Sequence, residues 1–432
     1  MKLSGWGRFP TIDAQCCVFE TGEKLRKCLK KWDDCIPYGL GRSYGDSALN
    51  NCVLLMHRFD KILDFDEANG IVTCESGVSL ADLIEAFLPR GWFLGVTPGT
   101  KFVTVGGAIA GDVHGKNHHK VGCFSTCVAS FELMLPSGEV LRCSREENRE
   151  LFLATCGGMG LTGVILSAEI LLKKVGSGSI KQRIMKAQCL EEVLELFDQY
   201  AGCSYSVAWI DCLARGKNEG RSLFVMGEHA HDGVFVIPDK RSFSVPYEMP
   251  GFIINKYSLS LFNMLYFQLI GNLGTEDLVT YERFFYPLDT IHNWNRIYGC
   301  KGFTQYQLVI PKENGFEGLV KILETISDSG LGSFLAVLKL FGPENENYLS
   351  FPMEGYTLSL DFKIEPKLFP VLDVLDEIVL KYGGRIYLAK DVRLTPEVFE
   401  RSYRGLREFR RIRKGYGMET KFQSMQSRRL RL

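Results

Sequence analysis

Three glycine-bearing segments in the first 165 residues constrain this chain more than any other feature: Tyr38-Gly-Leu-Gly-Arg-Ser-Tyr-Gly-Asp46, Thr97-Pro-Gly-Thr100 running into Val105-Gly-Gly-Ala-Ile-Ala-Gly-Asp-Val-His-Gly-Lys-Asn-His-His119, and Cys156-Gly-Gly-Met-Gly-Leu-Thr-Gly163. Glycine is entropically costly, so its clustering beside strand-like runs makes sense where backbone must approach a ligand closely or adopt positive φ. Gly39, Gly41 and Gly45 follow a strand ending at Tyr38, where successive N–H groups can form an anion-binding nest. Their Gly-x-Gly-x-x-x-Gly spacing is not the nicotinamide fingerprint, and no helical pattern follows at once. Pro98, Gly99, Thr100, Thr104, Gly106 and Gly107 supply a second backbone-rich patch, and Gly158, Gly160 and Gly163, ahead of a strand over 164–166, a third. The ligand implied is large and phosphate-bearing.

His114, His118 and His119 raise the question of a metal, since the first two are spaced to share a helical face. Gly115 and Asn117 argue against that helix and no carboxylate completes a ligand set, so no metal is expected and a hydrogen-bonding cluster is the better reading.

At 432 residues the chain is long enough for two domains. Its formal net charge of +0 argues against wholesale nucleic-acid binding, although residues 401–432 hold eleven Lys or Arg against Glu408 and Glu419. That basic tail either serves an anionic partner or docks on an acidic body. The 14 cysteines are scattered, with no Cys-x-x-Cys pair, and read as reduced, mostly buried thiols. Met1 to Arg8 lack the apolar core of a signal peptide. Together these predict a cytoplasmic protein, or one held peripherally on the inner face of the cell membrane.

Short β runs alternate with helices over the first 170 residues, including a helix opened by Ser79 with Asp82 at its third position. The pattern predicts an α+β fold, not a regular βαβ ladder. Val175-Gly-Ser-Gly-Ser reads as a junction; beyond it, helices near 190–200, 315–327 and 368–381 accompany strands near 206–210, 304–310, 334–341 and 356–362. Between Pro238 and Ile270 the chain is Pro-rich and then apolar, and Tyr257–Ile270 is apolar on nearly all sides. Such a helix is either buried, the reading preferred here, or in contact with lipid. It is too short and too interrupted to span a bilayer.

These residues resemble the FAD-dependent oxidoreductases of the vanillyl-alcohol-oxidase superfamily, and within it the subgroup that oxidises a polyprenylphosphoryl ribose. The likeness runs nearly end to end: the three glycine segments, His114-Gly-Lys-Asn-His-His119, Tyr286-Pro-Leu-Asp289, Gln305-Tyr-Gln307, Lys339-Leu-Phe-Gly342, Gly383-Gly-Arg-Ile-Tyr387 with Ala389-Lys-Asp391, and Arg428-Arg-Leu430. It implies a two-domain FAD-binding fold: an FAD-binding domain over 1–175, a substrate-binding cap over 176–384 built on an antiparallel sheet with helices, and a segment over 385–432 returning to the first domain. It implies oxidation of the 2′-hydroxyl of a polyprenylphosphoryl-β-D-ribofuranose to the ketone, the first half of an epimerisation completed by a separate short-chain reductase. A soluble sugar or aldonolactone oxidase using oxygen, or a non-catalytic flavoprotein subunit, is the alternative.

By the same resemblance FAD is held by Gly39, Gly41, Arg42, Ser43, Tyr44, Gly45, Pro98, Gly99, Thr100, Thr104, Gly106, Gly107, Ala110, His114, Gly158, Gly160, Gly163, Ile165 and Tyr387. Lys390, His114 and Tyr44 serve catalysis, and Lys116, Gln305, Gln307, Lys339, Thr357, Ser359 and Lys390 form the substrate pocket. Lys390 acts as a base if burial lowers its pKa and otherwise as an electrostatic stabiliser. Two departures stand out. Asp46 occupies the place of the histidine that tethers FAD in many superfamily members, so the cofactor is expected to be non-covalent, and Ser359 and Thr357 replace a cysteine and an asparagine of the active-site strand.

Overall fold

The computed structural model describes residues 1–237, 243–270 and 276–432. Cysteine-, valine- and isoleucine-rich runs form a first sheet in which Gln15–Val18, Cys52–Leu55 and Ile36–Tyr38 lie parallel in that order. Parallel neighbours need a crossover, supplied here by the helix Gly22–Lys31, which buries Leu25 and Leu29 one turn apart. A second, antiparallel sheet has the order Val140–Ser144, Val128–Met134, Val164–Lys174, Ile71–Glu75, Ile62–Asp66, and Trp92–Leu94 pairs with the far end of Val164–Lys174. The helix Leu80–Phe87 begins as its sequence predicts: the Asp82 N–H donates to the Ser79 hydroxyl at 3.1 Å, and the Ser79 N–H to the Asp82 carboxylate at 2.9 Å.

The third sheet is antiparallel and eight-stranded: Asp277–Thr280, Ser179–Ala187, Ser222–His229, Tyr205–Ile210, Ala336–Phe341, Gly355–Lys363, Phe303–Pro311, Arg385–Ile386. Its central strands alternate with period two. Tyr306, Leu308 and Ile310, with Tyr356, Leu358 and Leu360, turn to the face packed by the helices Gly315–Ser329 and Leu368–Lys381, where the Tyr306 hydroxyl donates to Asp376 at 2.9 Å. Gln305, Gln307, Thr357, Ser359 and Asp361 take the opposite face, and yet Gln307, Thr357, Ser359 and Asp361 are buried as well. A polar row buried on a sheet is the part of this fold that hydrophobic packing does not explain.

Beyond Ile386 the chain turns back to the N-terminal sheets. Phe422 bridges Cys35 in parallel, and the wholly buried Arg413 donates to the carbonyls of Leu161, Met418 and Phe422. The edge strand Arg385–Ile386 still pairs with Val309 and Leu308. The α+β class is the one expected.

Two expectations are corrected, and a third, left open between two readings, is decided. Cys17 and Cys28 are joined in a disulfide, the other twelve cysteines being free, so not every thiol is reduced; eleven residues separate a strand residue from one on the helix packed over it, a proximity that no Cys-x-x-Cys rule reveals. The apolar helix, observed at Lys256–Leu269, buries only Leu259, Asn263 and Phe267, while Tyr257 is 84% and Leu269 78% exposed. The buried reading failed because Asn263 is the residue turned inward, donating to the Asp211 carboxylate at 2.8 Å. The basic tail is largely docked: Arg428 pairs with Asp34, Arg429 with Asp46 and Asp391, Arg410 with Glu400 and Arg411 with Glu150. Pro238, where the Pro-rich segment was taken to start, lies outside the described residues.

Candidate active site

The buried polar row faces the loop that carries His114. Thr357 donates its hydroxyl to the Leu308 carbonyl at 2.8 Å, which leaves its oxygen to accept from Nε2 of Gln307 at 3.2 Å. That fixes the Gln307 amide, whose second N–H donates to Nε2 of His114 at 2.9 Å. The imidazole is therefore neutral with its proton on Nδ1, and Nδ1 has no partner among the described residues. Burial first, then the charges of Lys339, His118 and Lys390, hold the His114 pKa well below its ordinary value. Phe341, Phe351 and Tyr387 enclose the ring with centroids 4.8, 5.6 and 5.2 Å away.

Two lysines stand over the same face. Lys339 pairs in register with Thr357, and burial pushes its pKa down to about 8. Lys390 follows the edge strand in a turn. Its Nζ lies 3.9 Å from the centre of the Tyr44 ring. Burial lowers its pKa to about 7, with Lys339 adding to the effect and Asp361 opposing it. Asp361, two residues beyond Ser359, is itself raised to about 7 by burial, against the Gln305 amide that donates to it at 2.6 Å and the charge of Lys390. Neither Lys339 nor Lys390 has a hydrogen-bond acceptor among the described residues, so two desolvated ammonium groups are held free beside one carboxylate.

The glycine loops divide by what requires the glycine. A Cβ at Gly45 would overlap the Asp391 carbonyl, and one at Gly39 would come 2.5 Å from the Thr104 hydroxyl, so packing demands both. At Gly99 a Cβ would meet nothing within 4 Å, and at Gly107 only the Thr104 hydroxyl at 3.0 Å. Those two glycines are where a bulky ligand can lie against bare backbone. The N–H groups of Leu40 to Ser43, and of Gly99 and Thr100, have no acceptor among the described residues. Arg42, 4.2 Å above the Trp6 ring, has an unpartnered Nε beside them. Two facing loops of free amides with a guanidinium between them fit the pyrophosphate of an extended dinucleotide. Their spacing is set from the third sheet's side: the Tyr286 hydroxyl meets that of Thr97 at 2.6 Å, and Asp289 accepts the Lys101 N–H at 2.9 Å.

The remaining expected residues divide in the same way. Ser43 gives its carbonyl to the Trp6 N–H at 2.7 Å; Thr100 accepts from Phe102 at 3.2 Å; Thr104 caps the helix Val105–Ala110, which holds Gly106 and Gly107. Pro98 is half-buried beside the Thr97 hydroxyl, and the Ala110 carbonyl accepts from Met159 at 2.9 Å. Gly158, Gly160 and Gly163 sit in the third segment, where added Cβ atoms at Gly158 and Gly163 would strike the Ala154 carbonyl and the Leu133 side chain. Ile165 is buried in its ladder, with its carbonyl taken by the Ser76 hydroxyl at 2.6 Å. Tyr387 donates to the Gly111 carbonyl at 2.7 Å. The Lys116 ammonium donates to the Phe284 carbonyl over that residue's ring, so it is engaged by protein in a way that Lys339 and Lys390 are not. His118 accepts from the Gly342 N–H at 3.1 Å and lies 3.4 Å from the Cys123 thiol, while His119 meets the Cys203 carbonyl at 2.9 Å. Among the described residues no three His, Cys, Asp or Glu side chains are grouped to hold a metal ion.

Sequence reasoning missed Asp361 and the buried Tyr298 phenol beside it. The signal for Asp361 was present, since period-two alternation puts it on the face of Thr357 and Ser359. Tyr298 comes from a one-turn helix, Trp294–Tyr298, and had no such pattern to reveal it.

A family model described as an FAD binding domain matches residues 20–144. The chain is 36% identical, over 100% of its length and 97% of the relative's, to decaprenylphosphoryl-beta-D-ribose oxidase of Mycolicibacterium smegmatis. It is 32% identical, over 82% of its length and 100% of the relative's, to an uncharacterized protein in the mprA 5′ region of Streptomyces coelicolor. A more local likeness, 34% identity over 32% of this chain and 26% of the relative, links it to the Delta(24)-sterol reductase of Rattus norvegicus. Fold, glycine loops and these relatives together define an FAD-linked oxidoreductase of the vanillyl-alcohol-oxidase type. Within that class, the chain belongs to the family of decaprenylphosphoryl-beta-D-ribose oxidase.

Proposed function

We propose that this enzyme oxidises the 2′-hydroxyl of a polyprenylphosphoryl-β-D-ribofuranose to the 2′-ketone, and that a separate short-chain reductase then delivers hydride to the other face to give the arabinose epimer. The observation that carries the reading is the pair of half-buried ammonium groups with no acceptor among the described residues, Lys339 and Lys390, over a sheet face whose Gln307 and Thr357 lock a neutral His114. When bound, FAD supplies the acceptor for the hydride that leaves the carbinol carbon. Lys390, held near neutrality, takes the hydroxyl proton or balances the charge that develops on that oxygen. The Nδ1–H of His114 offers a fixed donor, and Gln305 and Asp361 set the field in which Lys390 titrates. FAD is held non-covalently in this reading, because Asp46 is paired with Arg429 where a tethering side chain would stand.

The lipid portion of such a substrate would reach the enzyme at a membrane surface. No helix among the described residues is long and apolar enough to cross a membrane. The exposed side of Lys256–Leu269, with Phe252 and Ile253 before it, is apolar, and Lys256 is the one charged residue between Met249 and Ile270. This supports a shallow peripheral contact. The deciding experiment is anaerobic mixing with polyprenylphosphoryl ribose while the flavin absorbance is followed: bleaching with formation of the 2′-keto product is expected. Bleaching by free aldonolactones alone would assign the enzyme to a different substrate class.

A further inference from the structure

Arg429 makes an arrangement that the proposed chemistry does not itself use. Its Nη2 donates to Asp46 at 2.8 Å and to Asp391 at 2.9 Å, and its Nη1 to the Leu394 carbonyl at 2.6 Å. Gln426, one turn earlier on the same helix, donates to the Leu388 carbonyl at 2.7 Å and to Asp391 at 3.2 Å. The second oxygen of Asp391 accepts the N–H groups of Arg393 and Leu394 at 2.8 and 2.7 Å. On the other side, Tyr44 donates its N–H to the Ala389 carbonyl at 3.0 Å. Residues 388–394 are thus held at both ends by the first glycine loop and the helix Met425–Arg429, and Lys390 is carried between them.

We propose that Arg429 is a positioning residue for Lys390: by bridging the Asp46 and Asp391 carboxylates it locks the Lys390 turn against the first glycine loop, so that the ammonium stays over the Tyr44 ring. The proposal rests on the reading of Lys390 as the group that acts on the substrate hydroxyl. Truncating a half-buried, two-fold paired guanidinium takes from Asp46 and Asp391 the charge that bridges them, and the turn they anchor is the element that relaxes. The groups facing Lys390 are Asp361, Lys339, His114 and Tyr44, and all four sit on other elements. A loosened turn therefore moves Lys390 relative to all of them at once.

The test compares Arg429→Gln, Arg429→Lys, the charge-balanced double variant Asp46→Asn with Arg429→Gln, and Lys390→Met. Each is read as the rate of anaerobic flavin reduction in the flavin-loaded fraction across pH, and as amide hydrogen exchange of residues 388–394 in flavin-free protein. Arg429→Gln and the double variant are expected to reduce at least tenfold more slowly, with the Lys390 limb of the pH profile moved upward as the amine gains solvent, and with faster exchange confined to 388–394. Arg429→Lys should recover part of the rate. A double variant with the parent's rate, pH profile and exchange would overturn the proposal, even if Arg429→Gln fails to fold. Should Lys390→Met reduce as fast as the parent, the catalytic reading of Lys390 falls first, and unchanged exchange in the Arg429 variants would then reject the clamp on its own.

Discussion

Lys390 holds its ammonium over the face of Tyr44, 3.9 Å from the ring centre, with no carboxylate among the described residues in ion-pair contact. Its counter-charge comes from a π-face and from Asp361 at longer range, so the amine is stabilised less than in a salt bridge and stays near its titration point.

Lys390→Met should keep FAD and a near-normal flavin spectrum, yet lower the single-turnover rate of flavin reduction by roughly 10²- to 10⁴-fold, the range typical of a positioned acid or base. Stopped-flow absorbance checks it; an unchanged rate removes Lys390 from catalysis.

The same substitution should change the pH dependence of stability. A lysine whose folded pKa is depressed to about 7 destabilises the fold fully below that pH, and the penalty fades as pH rises toward the unfolded value. Lys390→Met should therefore be the more stable protein at pH 6, by an amount on the order of a few kcal/mol, with the difference shrinking through pH 7 to 10. Urea unfolding of the two proteins across that range measures it.

Asp361→Asn removes the charge that raises the Lys390 pKa. The Lys390 limb of the rate profile should move to lower pH, opposite in sign to the Arg429 variants. A limb that stays in place would show that the two groups do not interact.

Acid precipitation should leave a colourless pellet and a yellow supernatant, because Asp46 is committed to Arg429. A flavin-labelled peptide in a tryptic digest would contradict non-covalent binding.

Ser359, opposite Gln307 on the buried row, should not be captured by electrophiles that alkylate a thiol at this place, whereas Ser359→Cys should be, with turnover retained. Intact-mass spectrometry decides the matter. An adduct on Ser359 itself, or an inactive Ser359→Cys, would show that this strand position lies elsewhere relative to the chemistry.

Much of this was legible before the fold was known, because it depended on local rules. The Ser79 capping box, the strand alternation through Thr357 and Ser359, and the glycine loops each announce themselves over a few residues. What escaped depended on partners far away in sequence. Helix Lys256–Leu269 is apolar on nearly every side, and only the Asp211 carboxylate, reaching Asn263, decides which side turns inward. Arg429 reads as one more base in a basic tail until Asp46 and Asp391 appear beside it. At Gly158 and Gly163 of the third segment, likewise, the neighbour that an added Cβ would strike is protein several residues or more away in sequence.

The bridge between Cys35 and Phe422 bears on synthesis as well as on architecture. A ribosome delivers the first sheet, its helix and all three glycine segments long before residue 422 emerges, but that sheet cannot gain its last neighbour, nor Arg413 its three carbonyls, until then. Contacts of such sequence separation form late and expose apolar surface while they wait. Maturation of the flavin site therefore waits on residues 413–429, and until they arrive the Lys390 turn is held to the first glycine loop only by the Tyr44 N–H on the Ala389 carbonyl.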